Sequence, residues 1–503
     1  MNSIGFKNFR RFRDFVPIEY NSITFLVGRN NSGKSTLVKA LLLIIDYVKS
    51  DDISIFSFNQ QNLEETNIST YGRAKSKHAV DDYITFYFSQ GSFEFKLTVS
   101  GDNDNTTVGV NEFEIRDMKA GFCFNVRPRE YSISISNYVD QQNLSIDEED
   151  KLLSELAENE KDLVLALSSI TQKTSQEYIQ KNGDLISLRK RISTIKAAKK
   201  REQSQGNFQL QTHYKGTEIQ EILQEAIQDF SADYDVQYRE IQRGKKAKAT
   251  FEGFKAFKDN KFKVERSVDD FLQFRKEVQN IYLGASLNKQ SALFSIRDKS
   301  NPLSQSIHEF KQLGVDKNPN GAAYQFVLKW MGEEFFAIGE SFDVIMHAGE
   351  AYELIISEGD LTIHLADKGM GSIQIMLLLI RLSTIIFKQQ IDQHLYTVII
   401  EEPELNLHPA FQSKLSFLFY DVSINHGINF IVETHSEYMI RKTQVIVNEN
   451  EFTDTDSRNP FSVLYFDMDS TQWKMNYRAD GKFIEEFGSG FFDETRKLVK
   501  KIL

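Results

Sequence analysis

Two groups of residues, far apart in the chain, have the types and spacing for phosphate chemistry. The first is Gly28-Arg29-Asn30-Asn31-Ser32-Gly33-Lys34-Ser35-Thr36, which fits the spacing G-x-x-x-x-G-K-[ST] of a Walker A loop. Gly28 and Gly33 permit backbone angles and a close approach that a Cβ would block. The successive N–H groups of such a loop, from Asn30, Asn31 and Ser32 through to Thr36, point at phosphates together with the N-terminus of the helix that follows. Lys34 would bring positive charge to the β- and γ-phosphates, and Ser35 a hydroxyl to Mg²⁺. The second group is Glu401-Glu402-Pro403-Glu404-Leu405-Asn406-Leu407-His408-Pro409, joined by Glu433-Thr434-His435-Ser436 further on. Phosphoryl transfer to water needs one carboxylate to hold the metal and a neighbour to polarise the attacking water. Glu401 is expected to serve the metal and Glu402 the water.

Elements must position these groups. Ser22 to Val27 is an apolar run that reads as a buried strand feeding the loop, and Leu37, Ala40, Leu41 and Ile44 line one face of a helix after it. Leu395 to Ile400 and Asn429 to Val432 read as apolar strands that end in the acids of the second group. Lys34 and Glu401 must reach one Mg²⁺-nucleotide, so the two ends of the chain must fold into one head, with the middle as an elaboration of it. A third element, Leu365 to Gln374, places Gly369, Gly371 and Ser372 at the opening of the apolar helix Ile375 to Phe387, and a glycine-rich helix start is a ready anion site.

Here the sequence resembles a known group. E-P-E-x-x-L-H-P, followed about 25 residues later by an apolar strand and T-H-S, resembles the ABC-type ATPases of the SMC, RecF and OLD group. The fold this implies is α/β, a P-loop ABC-type head with a mixed sheet flanked by helices, an antiparallel β-subdomain and a helical insertion. The resemblance implies ATP and Mg²⁺ as cofactors, a D-loop at Leu405 to Pro409, and a switch histidine, His435, at the γ-phosphate. It makes His408 a structural or dimer-contact residue. The segment with Gly369, Gly371 and Ser372 resembles a degenerate signature loop that reaches the γ-phosphate bound by a second subunit. The common OLD-like form reads G-x-G-x-S-Q. Here Ile373 stands in the usual serine place and Ser372 precedes it, which leaves open which hydroxyl meets phosphate. A Q-loop glutamine is implied as well, with Gln60, Gln61, Gln141 and Gln142 as candidates.

Between the two groups, Tyr83 to Phe88 and Phe93 to Val99 flank Gln90-Gly91 as a hairpin, and further strands are expected at Glu112 to Ile115, Gly121 to Val126 and Tyr131 to Ser136. Leu152, Leu156, Leu163, Leu167 and Ile170 have the spacing of an amphipathic helix with coiled-coil character. It is too short for the arm of a true SMC protein, so a helical hairpin is expected. The expected division is 1–142 for the N-terminal part of the head, 143–340 for a mainly helical insertion and 341–503 for the C-terminal part. Seven basic residues and no acidic ones lie between Ile186 and Arg201, with Arg243, Lys245, Lys246 and Lys248 beyond. Such runs bind phosphate backbones, but are more often solvated faces.

Composition narrows the class. Across 503 residues the chain is 41% hydrophobic and 12% aromatic, enough for a large core, and its net charge of −11 gives no chain-wide attraction to nucleic acid. The single cysteine, Cys123, excludes an intrachain disulfide scaffold and fits a reducing compartment. No signal-peptide pattern is visible, and runs such as Ile375 to Ile380 are short for a bilayer. The expectation is a cytoplasmic protein without a membrane partner. Asp467-Met468-Asp469 superficially fits the D-x-D of a Toprim nuclease, but Val463 to Phe466 and Trp473 to Tyr477 read as a hairpin around it. Two functions follow from the resemblance. One is an ATP-hydrolysing switch or sensor subunit that dimerises head-to-tail around ATP, as a homodimer or higher oligomer. It would control a separate effector, a nuclease, in bacterial anti-phage defence. The other is a RecF-like DNA repair or maintenance ATPase holding DNA on the basic insertion.

Overall fold

The computed structural model describes residues 2–59, 68–128, 130–135, 161, 185, 208–214, 216–243, 265–284, 293–298, 302–454, 456–468, 471–488 and 491–502. Leu152, Leu156, Leu163, Leu167 and Ile170, the basic run Ile186 to Arg201, Lys245, Lys246 and Lys248, Asp469, and all four candidate glutamines lie outside the described residues.

The strands in chain order are β1 (Asn2–Phe9), β2 (Phe12–Tyr20), β3 (Ile23–Gly28), β4 (Ile55–Ser57), β5 (Ile84–Gln90), β6 (Phe93–Ser100), β7 (Thr107–Asp117), β8 (Phe122–Arg127), β9 (Glu130–Ile135) and β10 (Phe208–His213). They continue with β11 (Val278–Leu283), β12 (Phe294–Ser295), β13 (Ser341–His347), β14 (Ala351–Glu358), β15 (Leu361–His364), β16 (Leu395–Glu401), β17 (Asn429–Glu433), β18 (Phe461–Phe466) and β19 (Gln472–Met475). The helices named below are α1 (Lys34–Lys49), α2 (Tyr71–Ala74), α3 (Ile219–Gln242), α4 (Pro302–Gln312), α5 (Ala322–Met331), α6 (Met370–Asp392), α7 (Pro409–His426), α8 (Glu437–Glu449) and α9 (Glu494–Ile502).

The central sheet has the order β11-β16-β17-β3-β18-β19. Its first five strands run parallel and β19 closes it antiparallel. A parallel sheet is buried on both faces, and strand alternation divides its residues cleanly. Leu26, Ile399, Ile431, Leu464 and Phe466 pack into one core with α1 and the phenylalanines of β1, β2 and β5 to β8. Phe25, Val27, Val398, Ile400, Phe430, Val432, Val463 and Tyr465 pack into a second core with α5, α6, α7 and α8.

The nine-stranded sheet is antiparallel and runs β10-β9-β8-β7-β6-β5-β1-β2, with β4 beside β7. The expected hairpin is β5–β6, and the later strands of that region are β7 to β9. Alternation in Phe93–Ser100 sends Phe93, Phe95, Leu97 and Val99 inward. Phe6 stacks on Phe15 at 4.5 Å, so aromatic rings fill much of the space between this sheet and α1. Twelve of the sixteen residues of α1 are buried, as befits a helix held between two sheets.

The region from 143 to 340 differs from a helical insertion in one respect that matters for the site. Strand β10 extends the antiparallel sheet beside β9, and β11 pairs in parallel with β16 from Val278↔Leu395 to Leu283↔Ile400. The head therefore resumes by residue 278. A four-stranded sheet of β12, β14, β13 and β15 follows and leads into α6. Helix α6 is long and apolar enough by length and composition to cross a membrane, although its separate apolar runs are short. Its side chains from Ile375 to Ile380 and Leu382 to Ile386 are buried in the second core, which is the setting of a core helix.

Candidate nucleotide site

The C-terminal ends of β3, β16, β17 and β18 lie along one edge of the central sheet, the edge where open α/β sheets bind ligands. Leu26, Glu433 and Glu401 form one row across three neighbouring strands. Glu433 follows Val432 and Glu401 follows Ile400, both of which face the second core. Alternation therefore turns the two carboxylates toward the α1 side, where the glycine loop lies.

The loop leaves β3 at Gly28, whose φ is +138°, and enters α1 through Gly33, whose φ is +111°. A Cβ on Gly28 would stand 2.2 Å from the carbonyl oxygen of Phe466, so the pairing of β3 with β18 itself requires glycine there. Asn31 takes the left-handed conformation at φ 62°. Lys34 is 3% exposed, and its Nζ donates to the carbonyl oxygens of Gly28 and Arg29 at 3.1 Å each. Burial lowers its pKa, while the carboxylates of Glu433 and Glu402 oppose that shift.

Ser35 Oγ donates to Glu433, 2.9 Å from Oε2 and 3.1 Å from Oε1, and Lys34 Nζ stands 3.8 Å from Glu433 Oε1. Burial pushes the Glu433 carboxyl up to about 7; Lys34 opposes this, and the charge of Glu401 adds to it. Glu433 is thus the acid that meets both chemical side chains of the loop. Sequence reasoning assigned it no role, although its place directly before T-H-S was a usable signal.

Glu402 ends the strand alternation. It lies at φ 47°, and its N–H donates to the carbonyl oxygen of Glu433 at 2.8 Å. Its Oε1 is 3.6 Å from His435 Nε2, and each side chain is 33% exposed. The His435 pKa is lowered by burial and then by the charge of Lys34, with Glu402 opposing. A histidine placed near a carboxylate is a pair of residue types that acid–base chemistry uses. Glu404, also unassigned by sequence, fixes the histidine turn: its Oε1 accepts the N–H of His435 at 2.6 Å. Burial raises its pKa and that hydrogen bond opposes the rise. Ser436 caps α8 by accepting the N–H of Met439 at 3.2 Å.

The third element sits beside the second. Gly369 caps α6, and Gly371 and Ser372 lie in its first turn. A Cβ on Gly371 would come within 2.9 Å of the carbonyl oxygen of Asn406, so the helix start packs against the segment Leu405 to Pro409. Gln374 Nε2 reaches the carbonyl oxygen of Pro403 at 3.3 Å. Ile373 is buried in the second core, which separates it from the partly exposed Ser372. His408 caps α7, its Nδ1 accepting the N–H of Ala410 at 3.3 Å, with Pro409 at the first helical position. Asp467 donates its N–H to Thr471 in the turn joining β18 and β19.

Magnesium fits the donors present. The Ser35 hydroxyl and the carboxylates of Glu401 and Glu433 are hard oxygen groups gathered at one strand edge, the donor type that Mg²⁺ takes. Among the described residues, no group of three or more His, Cys, Asp or Glu side chains is arranged to hold a metal ion, so a metal here would rest on the Ser35 hydroxyl and phosphate oxygens as well as carboxylates.

Comparison with known proteins agrees on the class. No curated protein matches the chain. Among solved structures, the chain is similar to the Smc head domain with an extended coiled coil bound to the C-terminal domain of ScpA, from Pyrococcus furiosus. Identity there is 13%, all of both chains is covered, and the TM-score is 0.39. It is also similar to an SmcHead bound to the C-winged helix domain of ScpA, at 11% identity over 96% of each chain, with a TM-score of 0.35. Residues 1–440, which carry the glycine loop, the acid-ended strands and the histidine turn, match the AAA ATPase domain, and the chain belongs to that family of ATPase domains.

Proposed function

We propose that the chain binds ATP with Mg²⁺ on the loop from Gly28 to Thr36 and hydrolyses it to ADP and phosphate. One observation carries this reading. Ser35 and Glu433, 398 residues apart, share two hydrogen bonds at the edge where Lys34, Glu402 and His435 also meet. Lys34 and the loop N–H groups hold the phosphates, and Ser35 and Glu401 hold the metal. Bound Mg²⁺ supplies charge neutralisation at the phosphate oxygens. Glu402 orients and deprotonates the attacking water, and His435 stabilises the γ-phosphate and exchanges a proton with Glu402.

In the same reading, two copies pair head-to-tail around ATP. Gly369, Gly371 and Ser372 of one copy complete the site of the other, and the contact of Gly371 with Asn406 ties that surface to the acid strand behind it. ATP then acts as a clamp and hydrolysis as its release. This mechanical cycle suits control of a separate effector, a nuclease, in anti-phage defence, and the motif resemblance supports that assignment. A DNA maintenance role is the alternative, and it predicts that duplex DNA stimulates turnover by the purified chain.

The test is Glu402→Gln. Removing a general base lowers turnover by about 10²–10⁴-fold, while ATP affinity holds and a dimer accumulates on a sizing column with ATP. Turnover at the wild-type rate removes Glu402 from the role of base.

A further inference from the structure

The contacts of Glu433 reach beyond the assigned machinery. Its carboxylate accepts the Ser35 hydroxyl and faces the Lys34 ammonium, the two groups of the glycine loop with a task at phosphate and metal. Its backbone carbonyl holds Glu402. Glu401 lies beside it in strict register on the neighbouring strand, and both side chains project to the α1 side. The Glu433 side chain is 8% exposed, so solvent screens its carboxylate weakly. A triphosphate brought to Lys34 alone would bring its own negative charge against this group. A divalent cation removes the conflict, because it attracts the phosphates and the carboxylate alike.

We infer that Glu433 makes nucleotide capture conditional on a divalent cation, because its carboxylate restrains Lys34 and Ser35 until Mg²⁺ engages it. The inference rests on the nucleotide-site reading and adds to it a regulatory coupling: metal and nucleotide must bind together. The Glu433 side chain acts as an electrostatic gate as well as an oxygen donor. Glu401, on the outer side of Glu433 from the loop strand, is the ordinary metal carboxylate in this reading.

Equilibrium titration with a fluorescent ADP analogue, in excess Mg²⁺ and in EDTA, reads the coupling as the ratio of the two dissociation constants. In Glu433→Gln the ratio falls by about tenfold, the order expected for removing one poorly screened charge near the phosphates. Most of the fall comes from tighter binding in EDTA. Glu433→Asp keeps the charge and keeps the ratio near the wild-type value. Glu433→Ala gives a second neutral variant should the glutamine chain not fold. Mn²⁺ binding without nucleotide, followed by electron paramagnetic resonance, weakens in both neutral variants. An unchanged ratio in the neutral variants, or equal weakening with and without metal, overturns the gate and leaves the nucleotide site standing. Wild-type chain that binds no nucleotide in either buffer overturns the site and the gate together.

Discussion

The most exposed consequence of the site is a pH dependence of stability that one carboxyl should dominate. Glu433 has a pKa pushed up to about 7 from an ordinary value of 4.5, with burial as the first cause. Between those two values the folded chain keeps a proton that the unfolded chain has released. Stability contributed by this group is therefore complete below 4.5 and is lost as pH rises through 7. The separation is worth about 3 kcal/mol. Glu433→Gln cannot titrate, yet its amide oxygen can still accept from Ser35 and Lys34. The glutamine variant should match wild type at about pH 4.5 and exceed it by up to about 3 kcal/mol at about pH 8. Calorimetric or urea unfolding in EDTA without nucleotide measures the difference at each pH. Mg²⁺ with ADP should shrink it, because binding the folded state stabilises the charged carboxylate and so favours wild type. A difference that stays constant across the range, or grows toward acid, would refute the argument that a buried, charge-crowded carboxyl sits at this position.

Other perturbations separate positioning from chemistry. His435→Ala should slow turnover while ATP affinity stays near wild type, and loss of affinity equal to the loss of rate would count against a role in the chemical step. Gly28→Ala would set a Cβ 2.2 Å from the Phe466 carbonyl oxygen in a left-handed backbone, so nucleotide binding and melting temperature should both fall, by about 1–3 kcal/mol in stability. Trp330 is fully buried and donates Nε1–H to Asp421 Oδ2 at 3.0 Å. Trp330→Ala should cost about 3–5 kcal/mol in unfolding experiments without altering the magnesium dependence of nucleotide binding. Mixing Gly371→Asp chains with Lys34→Ala chains should restore turnover through one composite site. Mixed dimers that recover none would exclude shared sites.

Much of the site was legible because its parts are local. A loop whose two glycines, Gly28 and Gly33, enclose four polar residues, an apolar strand closing in acids and a histidine at the next strand end each carry their own chemistry in a few residues. The β5–β6 and β18–β19 hairpins were legible for the same reason, since period-2 alternation and a short turn need no distant partner. The role of Glu433 was not legible. Its chemistry depends on β17 lying between β16 and β3, and strand order across a parallel sheet leaves no mark in either strand. Strand β11 escaped for a related reason. Val278-Gln279-Asn280-Ile281-Tyr282-Leu283 is an edge strand with polar residues at its centre, and only its pairing with β16 identifies it. The β13–β14 hairpin has no counterpart among the elements expected from the sequence. Its turn is held by Gly349 at φ 73°.

Strand β3 pairs on one side with β17 and on the other with β18, both roughly 400 residues later in the chain. During synthesis at about 5–20 residues per second, its six buried residues emerge well before either neighbour exists, a wait of roughly 20–80 seconds. Over that interval Ile23, Phe25 and Val27 have no second core to enter, and a β-prone apolar segment is left open to wrong partners. The antiparallel sheet needs only β1, β2 and β5 to β9 to begin closing over α1, and so can give the nascent N-terminus a partial shelter. Truncated chains that stop before residue 461 should therefore recruit chaperones or aggregate.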